Sequence, residues 1–414
     1  MSQKLNIGLF GFGCVGGGLY EVLNQSQLLD ATISKIVVKS PNKVRSIPEE
    51  NFSYDKNVIL QDPSINVVVE LINDTDEALD IVKTALLNGK HVVTANKKLV
   101  AEHFEELTEL AKEKNVSLLY EAAVAAAIPI IRNLEEYYNN DMLTSLEGIV
   151  NGTTNYILSQ LDKGETYESA LKAAQELGFA ELNPTMDVDG FDSKFKLAIL
   201  IKHAFGVHAD PKKVTNFGIR NIKKQDSKYA TEKGFKIKLI SKALKINNSV
   251  IGFVAPHFVP RAHSLHQVDQ EFNGVIVEGA FADKQLFYGK GAGSFPTASA
   301  VLSDVSALKF DYQYEYKKSE QANGVGFSND FYVKIYLGSE FISLINEVPF
   351  LRVDEVFQSK DYNYQVGWVH FKELEKFDLN KIKDLSLIVL PDAILGPNNI
   401  NQLKAEQEAF AVEY

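Results

Sequence analysis

A glycine-rich turn between an apolar strand and a helix narrows the possible folds of this chain most. Leu5 to Phe10 reads as a short apolar strand, Gly11-Phe12-Gly13-Cys14-Val15-Gly16 follows, and a helix is predicted over Leu19 to Leu29. Further strands are predicted at Ile33 to Val38, Asn66 to Ile72, His91 to Thr94 and Ser117 to Glu121, with helices at Glu77 to Asn88 and Phe104 to Lys114. Apolar strands alternating with amphipathic helices give a parallel sheet covered on both faces. In a GxGxxG turn placed this way the first glycine makes the bend. The second lets a pyrophosphate approach the backbone, and the third lets helix and strand pack closely. The helix N-terminus then faces the phosphates. The competing reading is a glycine-rich loop that binds no nucleotide.

The end of the second strand bears on which dinucleotide. An NAD site usually has an acid there, about 20 residues on, to hold the ribose hydroxyls. Here the chain reads Val37-Val38-Lys39-Ser40, followed by Lys43 and Arg45. Cations in that place can pair with a 2′-phosphate and favour NADP over NAD, unless they are only solvated surface.

At 414 residues the chain exceeds one ordinary core, so two or three domains are expected. The net charge of −11 argues against nucleic acid or an acidic membrane as main partner. Cys14 is the only cysteine, which excludes an intramolecular disulfide and agrees with a reducing compartment. No apolar run has the length of a membrane span. The opening residues lead into a strand pattern and not a signal peptide, so the expected location is cytoplasmic.

After about Asn140 the pattern changes. Ser145 to Val150 reads as a strand leading into Asn151-Gly152-Thr153-Thr154, a turn plus a helix cap. Helices are predicted at Asn155 to Leu161 and Tyr167 to Leu177, and antiparallel strands between Lys236 and Leu286. Gly289-Lys290-Gly291-Ala292-Gly293 opens another helix through Leu308, with Pro296 in its first turn. The expected fold class is α/β: a Rossmann-type parallel-sheet domain (1–140, with the helix near 296–310 packing back on it), an α+β catalytic and dimerisation domain (141–310), a linker (311–327) and a small α+β tail (328–414).

One stretch crowds acids and lysines at the start of an apolar helix. It runs Asp187-Val188-Asp189-Gly190-Phe191-Asp192-Ser193-Lys194-Phe195-Lys196 and continues into Leu197-Ala198-Ile199-Leu200-Ile201. Asp192 and Lys196 are four apart and share one helix face. Lysine is almost never buried without a partner, so Lys196 is either solvated or held in a site. A lysine desolvated beside a carboxylate can exchange a proton near neutral pH. Lys97, in Thr94-Ala95-Asn96-Lys97-Lys98, follows the C-terminal end of the fourth strand, the edge at which open parallel sheets bind ligands.

Taken together these segments resemble homoserine dehydrogenases over roughly residues 5 to 310. The blocks that carry the resemblance are the glycine-rich opening, Glu70-Leu71-Ile72 with Thr75, and Gly89 through Lys97. They continue with Tyr120-Glu121-Ala122 and Val124, Ile128 to Ile131, Asn151 to Leu158, Glu176 to Glu181, Pro184-Thr185, Asp187 to Asp192, Lys196 to Leu200, and Gly289 to Val301. The resemblance implies reversible oxidation of L-homoserine to L-aspartate 4-semialdehyde with NADP or NAD, in threonine, methionine and isoleucine biosynthesis. It implies Lys196 as general acid/base, Asp192 as its orienting partner and Lys97 as a second catalytic cation. Glu181 and Asp187 would bind substrate. Gly11, Phe12, Gly13, Cys14, Val15, Gly16, Lys39, Thr75, Lys97, Gly178 and Gly293 would line the cofactor. A sodium ion would sit on Glu121, Val124, Ala126 and Ile128, largely through backbone carbonyls. Two departures from the family pattern bear on these sites. Ala125-Ala126-Ala127 replaces the family's glycines after Val124, and Asn73-Asp74 replaces a common glycine pair before Thr75.

The tail resembles a βαββαβ regulatory (ACT) domain through Asp330 to Leu337, although the glycine-containing turn into its first helix is hard to find after Leu337. A homodimer or higher homo-oligomer and an amino-acid effector at the tail are implied by the same resemblance. The alternative function is a non-catalytic NADP-binding redox sensor, which would have no use for Glu181, Asp192 and Lys196.

Overall fold

The computed structural model describes residues 4–26, 30–140, 142–322, 324–377 and 381–399. It divides into two compact units, Met1–Asn140 with Gly289–Glu320, and Asp141–Tyr288 with Gln321–Tyr414.

The first unit is built on a six-stranded parallel sheet of Leu5–Phe10, Ala31–Val37, Phe52–Ser53, Val67–Glu70, His91–Thr94 and Leu118–Leu119. Numbered along the chain, the strands lie in the order 3-2-1-4-5-6, the doubly wound arrangement that binds dinucleotides where the order reverses. The short strand Phe52–Ser53 was not foreseen; two residues give too little alternation to read. Valine fills the centre of the sheet because strands covered on both faces need apolar side chains throughout: Val67, Val68 and Val69 are all fully buried. The helix Ser294–Leu308 packs on the first helix, Cys14–Gln25. Gly18 permits this, since a Cβ there would lie 2.9 Å from the Ser294 carbonyl oxygen.

Of the segment expected as a linker, residues 311–320 belong to this unit and Gln321 onward to the second. Tyr314 is buried, the Tyr312 carbonyl accepts the Ser117 hydroxyl at 2.8 Å, and the Tyr120 and Tyr316 hydroxyls lie 2.9 Å apart. The alternating tyrosines at 312, 314 and 316 form an aromatic seam in which Tyr314 is buried and the other two are half-buried, and the surrounding polar residues disguise it.

The second unit holds an eleven-stranded sheet. Its main path runs Asp283–Lys290, Phe272–Gly279, Leu143–Ile149, Phe235–Ile246, Ser249–Pro260, Leu385–Leu395, Tyr332–Ser339, Asn363–His370 and Arg352–Gln358. From Phe272–Gly279 to Arg352–Gln358 the pairs along this path are antiparallel except for a parallel bridge at His257 and Val389, and off the path Ser249–Pro260 pairs in parallel with Thr215–Asn216 and Gly326–Phe327. The tail, read from the sequence as a separate small domain, thus continues the same sheet. The physical reason is a shared core: Phe217, Ile251, Phe253 and Ala255 pack in one cluster with Phe331, Val333, Ile335, Leu337, Phe371 and Leu385. Among the described residues of the tail the order of elements is βαββαβ. Its first helix, Ile342–Asn346, lies where the sequence offered no clear turn. Residues 400–414 of the expected tail lie outside the described residues.

At the C-terminal edge of the parallel sheet, Glu70 is fully buried. It accepts the Thr94 hydroxyl at 2.5 Å and the Ile72 N–H at 2.6 Å. Burial pushes its carboxyl from the ordinary 4.5 up to about 7. The folded value lies above the unfolded one, so the folded chain binds the extra proton within that window and loses stability as pH rises through it. Between pH 5 and 8 the wild-type melting temperature should therefore fall by about a few degrees relative to Glu70→Gln. A difference between the two proteins that does not change with pH would contradict this.

Candidate active site

The candidate catalytic groups of the second unit meet where the strand Leu143–Ile149 ends and the helix Gly152–Leu161 begins. Asn151 caps that helix. Its Oδ1 accepts the Thr154 N–H at 2.8 Å, satisfying one of the orphan donors of the first turn. The cap fixes which way the amide points, and the Nδ2 group then faces two carboxylates. It donates to Asp187 Oδ1 at 2.7 Å and to Asp192 Oδ2 at 2.9 Å.

Lys196 completes the cluster from the helix Phe191–Phe205. This helix is buried on most sides, and Asp192, Ser193, Lys196 and His203 are buried with its apolar residues. Lys196 is itself only 8% exposed. Its Nζ lies 2.8 Å from Asp192 Oδ2 and donates to the Val150 carbonyl at 2.7 Å. A buried ammonium survives only with partners of this kind, because each ion taken out of water costs several kcal/mol. Gly190, at φ +82°, precedes the helix and makes the sharp reversal from the one-turn helix Thr185–Val188, which carries Asp187. Lys196, Asp192 and Asp187, singled out from the sequence, are thus one hydrogen-bonded chain. Glu181 stands outside it: the residue is exposed, and its backbone carbonyl accepts Gln175 Nε2 at 3.1 Å. Gly178, at φ +75°, follows the helix Tyr167–Glu176 and is exposed.

The sequence reading placed Asn151 in a turn plus a helix cap and missed its bonds to the two acids. The available signal was a cap whose amide has two donors left over after its oxygen is used.

In the first unit the glycine-rich turn has the shape its spacing predicts. Gly11 sits at φ +92°, where a Cβ would come within 2.5 Å of the Leu71 carbonyl oxygen. A Cβ on Gly16 would lie 2.2 Å from the Gly11 oxygen, whereas one on Gly13 would meet nothing within 4 Å. The first and third glycines are therefore demanded by packing, and the second leaves open space at the helix start, which fits a pyrophosphate. Phe12 is buried against Phe52, Cys14 is exposed and Val15 is half-buried. Thr75 opens the helix Thr75–Leu87 behind the Asp74 cap, which accepts the Glu77 N–H at 3.1 Å. Lys97 opens the helix Lys97–Glu102, capped by Asn96, whose Oδ1 accepts the Leu99 N–H at 3.0 Å. Gly293, at φ +118°, precedes the helix Ser294–Leu308.

Lys39 is exposed and already faces acids. Its Nζ is 3.3 Å from Glu77 Oε2 and 3.6 Å from Asp74 Oδ2, and these partners raise its pKa. Arg45 donates to the Ser40 carbonyl at 2.7 Å and lies over the Phe52 ring.

The Glu121 loop is tightly built. Glu121 accepts the N–H groups of Ile131 and Arg132, each at 2.8 Å, and so caps a short helix with its carboxylate. Burial, with Asp304 nearby, raises its carboxyl to about 7. Ala126 adopts φ +46°, a conformation that favours glycine and is held here on an alanine. The Ile128 carbonyl accepts the Ile130 N–H at 2.9 Å.

Comparison with known proteins gives the family. Residues 129–306 match the sequence model of the homoserine dehydrogenase catalytic domain, and residues 11–121 match that of the homoserine dehydrogenase NAD-binding domain. The chain is 36% identical to the homoserine dehydrogenase of Lactococcus lactis over 380 residues, covering 88% of each chain. It is 40% identical to that of Bacillus subtilis over 316 residues, covering 74% of this chain and 73% of the relative. Among solved structures, a homoserine dehydrogenase from Thiobacillus denitrificans superposes with a TM-score of 0.82 at 31% identity, covering 94% of this chain and 99% of that one. A hyperthermophilic archaeal homoserine dehydrogenase in complex with NADPH superposes at 0.64 with 25% identity, covering 76% of this chain and all of that one. With both family models matched and this similarity running through most of the length, the chain belongs to the homoserine dehydrogenase family.

Proposed function

We propose that this chain interconverts L-homoserine and L-aspartate 4-semialdehyde with Lys196 as the proton donor and acceptor. The observation that carries the reading is the buried Asp192–Lys196 pair, held by Asn151 and the Val150 carbonyl. A bound nicotinamide dinucleotide supplies or accepts the hydride. In the oxidative direction Lys196 Nζ takes the hydroxyl proton as the C–H bond breaks. In the reductive direction its ammonium returns that proton to the developing alkoxide, electrostatic work that a prepositioned cation does well. Asp192 holds Nζ at the reacting oxygen. Asp187 and Glu181 bind the substrate ammonium, and Lys97 steadies its anionic end; a zwitterion needs fixed charges of both signs. The redox-sensor alternative gains no support, because it leaves this buried pair without a task.

The open space beside Gly13 and the helix start fit the cofactor's pyrophosphate. NADP is the expected form, read from Lys39, Lys43 and Arg45 at the end of the second strand, and an archaeal relative was solved with NADPH. Lys39 would turn from Glu77 and Asp74 toward the 2′-phosphate. The carbonyls of Glu121, Val124, Ala126 and Ile128 form the irregular loop at which a sodium ion would be held. Its positive-φ Ala126 supports that reading, since the alanine takes the turn a glycine would favour. A homo-oligomer, an amino-acid effector at the βαββαβ tail and a cytoplasmic location complete the reading.

Lys196→Ala should lower kcat by at least about a hundredfold while the Kd for NADP stays within twofold. Near-normal turnover in initial-rate assays would remove the proposed role. Glu181→Gln should raise the homoserine KM by about tenfold with little change in kcat; an unchanged KM would take Glu181 out of the substrate site. The Kd for NADP should be lower than for NAD, and Lys39→Ala should narrow the gap. Outright preference for NAD would refute the assignment of the second strand's end.

A further inference from the structure

The turn that carries Asp187 is held from outside the catalytic cluster, and one side chain bonds both of its ends. Arg220 lies in the connector between the helix Phe191–Phe205 and the helix Lys224–Glu232. Its Nε donates to Asp189 Oδ1, and its Nη2 donates to Thr185 Oγ1 at 2.8 Å. Thr185 and Asp189 bracket the turn on either side of Asp187. A planar guanidinium that bonds both ends with two different nitrogens fixes the turn's width as well as its position. The same connector adds two further bonds to the turn: Ile219 N–H to the Val188 carbonyl at 2.8 Å and Asn216 Nδ2 to the Asp189 carbonyl at 2.7 Å.

The other side of the connector is fastened to the tail. Asn221 Nδ2 donates to the Ile382 carbonyl at 2.8 Å, and the Ser386 hydroxyl shares its one proton between the Asn221 carbonyl and Asp226. Lys223 Nζ lies 2.6 Å from Asp384 Oδ1. Asp226, fully buried, accepts the Tyr362 hydroxyl at 2.5 Å, the Ser386 hydroxyl at 2.7 Å and the Lys223 N–H at 2.8 Å. One continuous chain of hydrogen-bonded residues therefore runs from the strand Leu385–Leu395 through residues 216–226 to the Asp187 turn, and from Asp187 through Asn151 to Asp192 and Lys196.

We propose that Arg220 is a positioning residue for the reaction, fixing the Asp187 turn and hence the Asn151–Asp192–Lys196 chain, and that the tail sets the place of Arg220 through Asn221 and Ser386. The proposal deepens the functional reading above and rests on it. It concerns placement alone: Arg220 bonds the two residues that flank Asp187 and takes no part in the proton transfer. Loss of the guanidinium leaves the turn held only by Ile219 and Asn216, so the substrate-binding carboxylate is less tightly placed while the dinucleotide turn of the other unit is untouched. Misplacement of a binding group by about 1 Å is enough to cost orders of magnitude in rate.

The test uses the full-length protein and initial-rate kinetics in both substrates. Arg220→Ala should raise the homoserine KM by about tenfold or more and lower kcat, with the NADP KM within twofold of wild type. Guanidinium chloride added below its denaturing range should restore part of the lost kcat/KM in Arg220→Ala and none in wild type. Arg220→Lys, which keeps the charge but not the fork, should remain impaired. Ser386→Ala, placed in the tail and away from the catalytic groups, should move the homoserine KM in the same direction by a smaller factor. An unchanged homoserine KM in Arg220→Ala, an equal rise in both KM values, or no response to guanidinium would overturn the proposal. If Arg220→Ala does not fold, the comparison of Arg220→Lys and Ser386→Ala decides alone, and wild-type KM values in both would overturn it. Lys196→Ala separates the two levels. An active Lys196→Ala sinks the functional reading, whereas an inactive Lys196→Ala beside a normal Arg220→Ala sinks only the positioning role.

Discussion

The catalytic unit depends on what one asparagine amide does with its hydrogen bonds. Asn151 must cap the helix Gly152–Leu161, because the first backbone N–H groups of a helix have no partner of their own. Once its oxygen is committed to Thr154, its two amide hydrogens project to the opposite side. There they hold Asp187 and Asp192, two acids that would otherwise repel. Asp192 held this way stands 2.8 Å from Lys196, and the Val150 carbonyl supplies a second acceptor to the same ammonium. A local rule of helix ends thus sets the geometry of a charged cluster assembled from three chain segments.

The first unit solves a different problem with less. Two of its three signature glycines are required by steric contact with the Leu71 and Gly11 carbonyls, and the third keeps a space open at a helix start. Glu70 then ties the ends of neighbouring strands through Thr94 and Ile72, and Asn96 is stitched to the same edge by accepting at its side chain from Leu99 and donating at its N–H to Thr94. The edge on which Lys97 sits is therefore stiff before any ligand arrives. Ala126 shows the opposite economy. A positive φ on alanine costs roughly 1 kcal/mol or more, and the Glu121 carboxylate, bonded to two backbone N–H groups a few residues on, helps keep the loop in that shape.

The tail shows how far sheet continuity can carry a mechanical link. Its strands share a core with Phe253 and Ile251 of the central hairpin, so it cannot move as a loose appendage without breaking apolar packing. Its hydrogen bonds to Asn221 and Asp226 put it in contact with the segment that braces the Asp187 turn. An event at the tail would be felt first as a change in that brace.

Sequence alone determined the local parts: the strand–turn–helix with its glycines, the alternation that makes a parallel sheet, the Asp192–Lys196 face and the antiparallel middle strands. These follow from periodicity and from contacts within one helical turn, which neighbouring residues encode directly. It reads Asp311 to Phe327 as a linker and the tail as a separate domain because polar residues hide the packing of Tyr314 and shared cores leave no mark on linear order. Only the tertiary structure decided that Lys196 is buried against the Val150 carbonyl, and that Asn151 joins acids 36 and 41 positions away. Only it showed that Arg220 spans Thr185 and Asp189, 35 and 31 positions back. Such pairings are fixed by which surfaces bury together, and no local pattern specifies that.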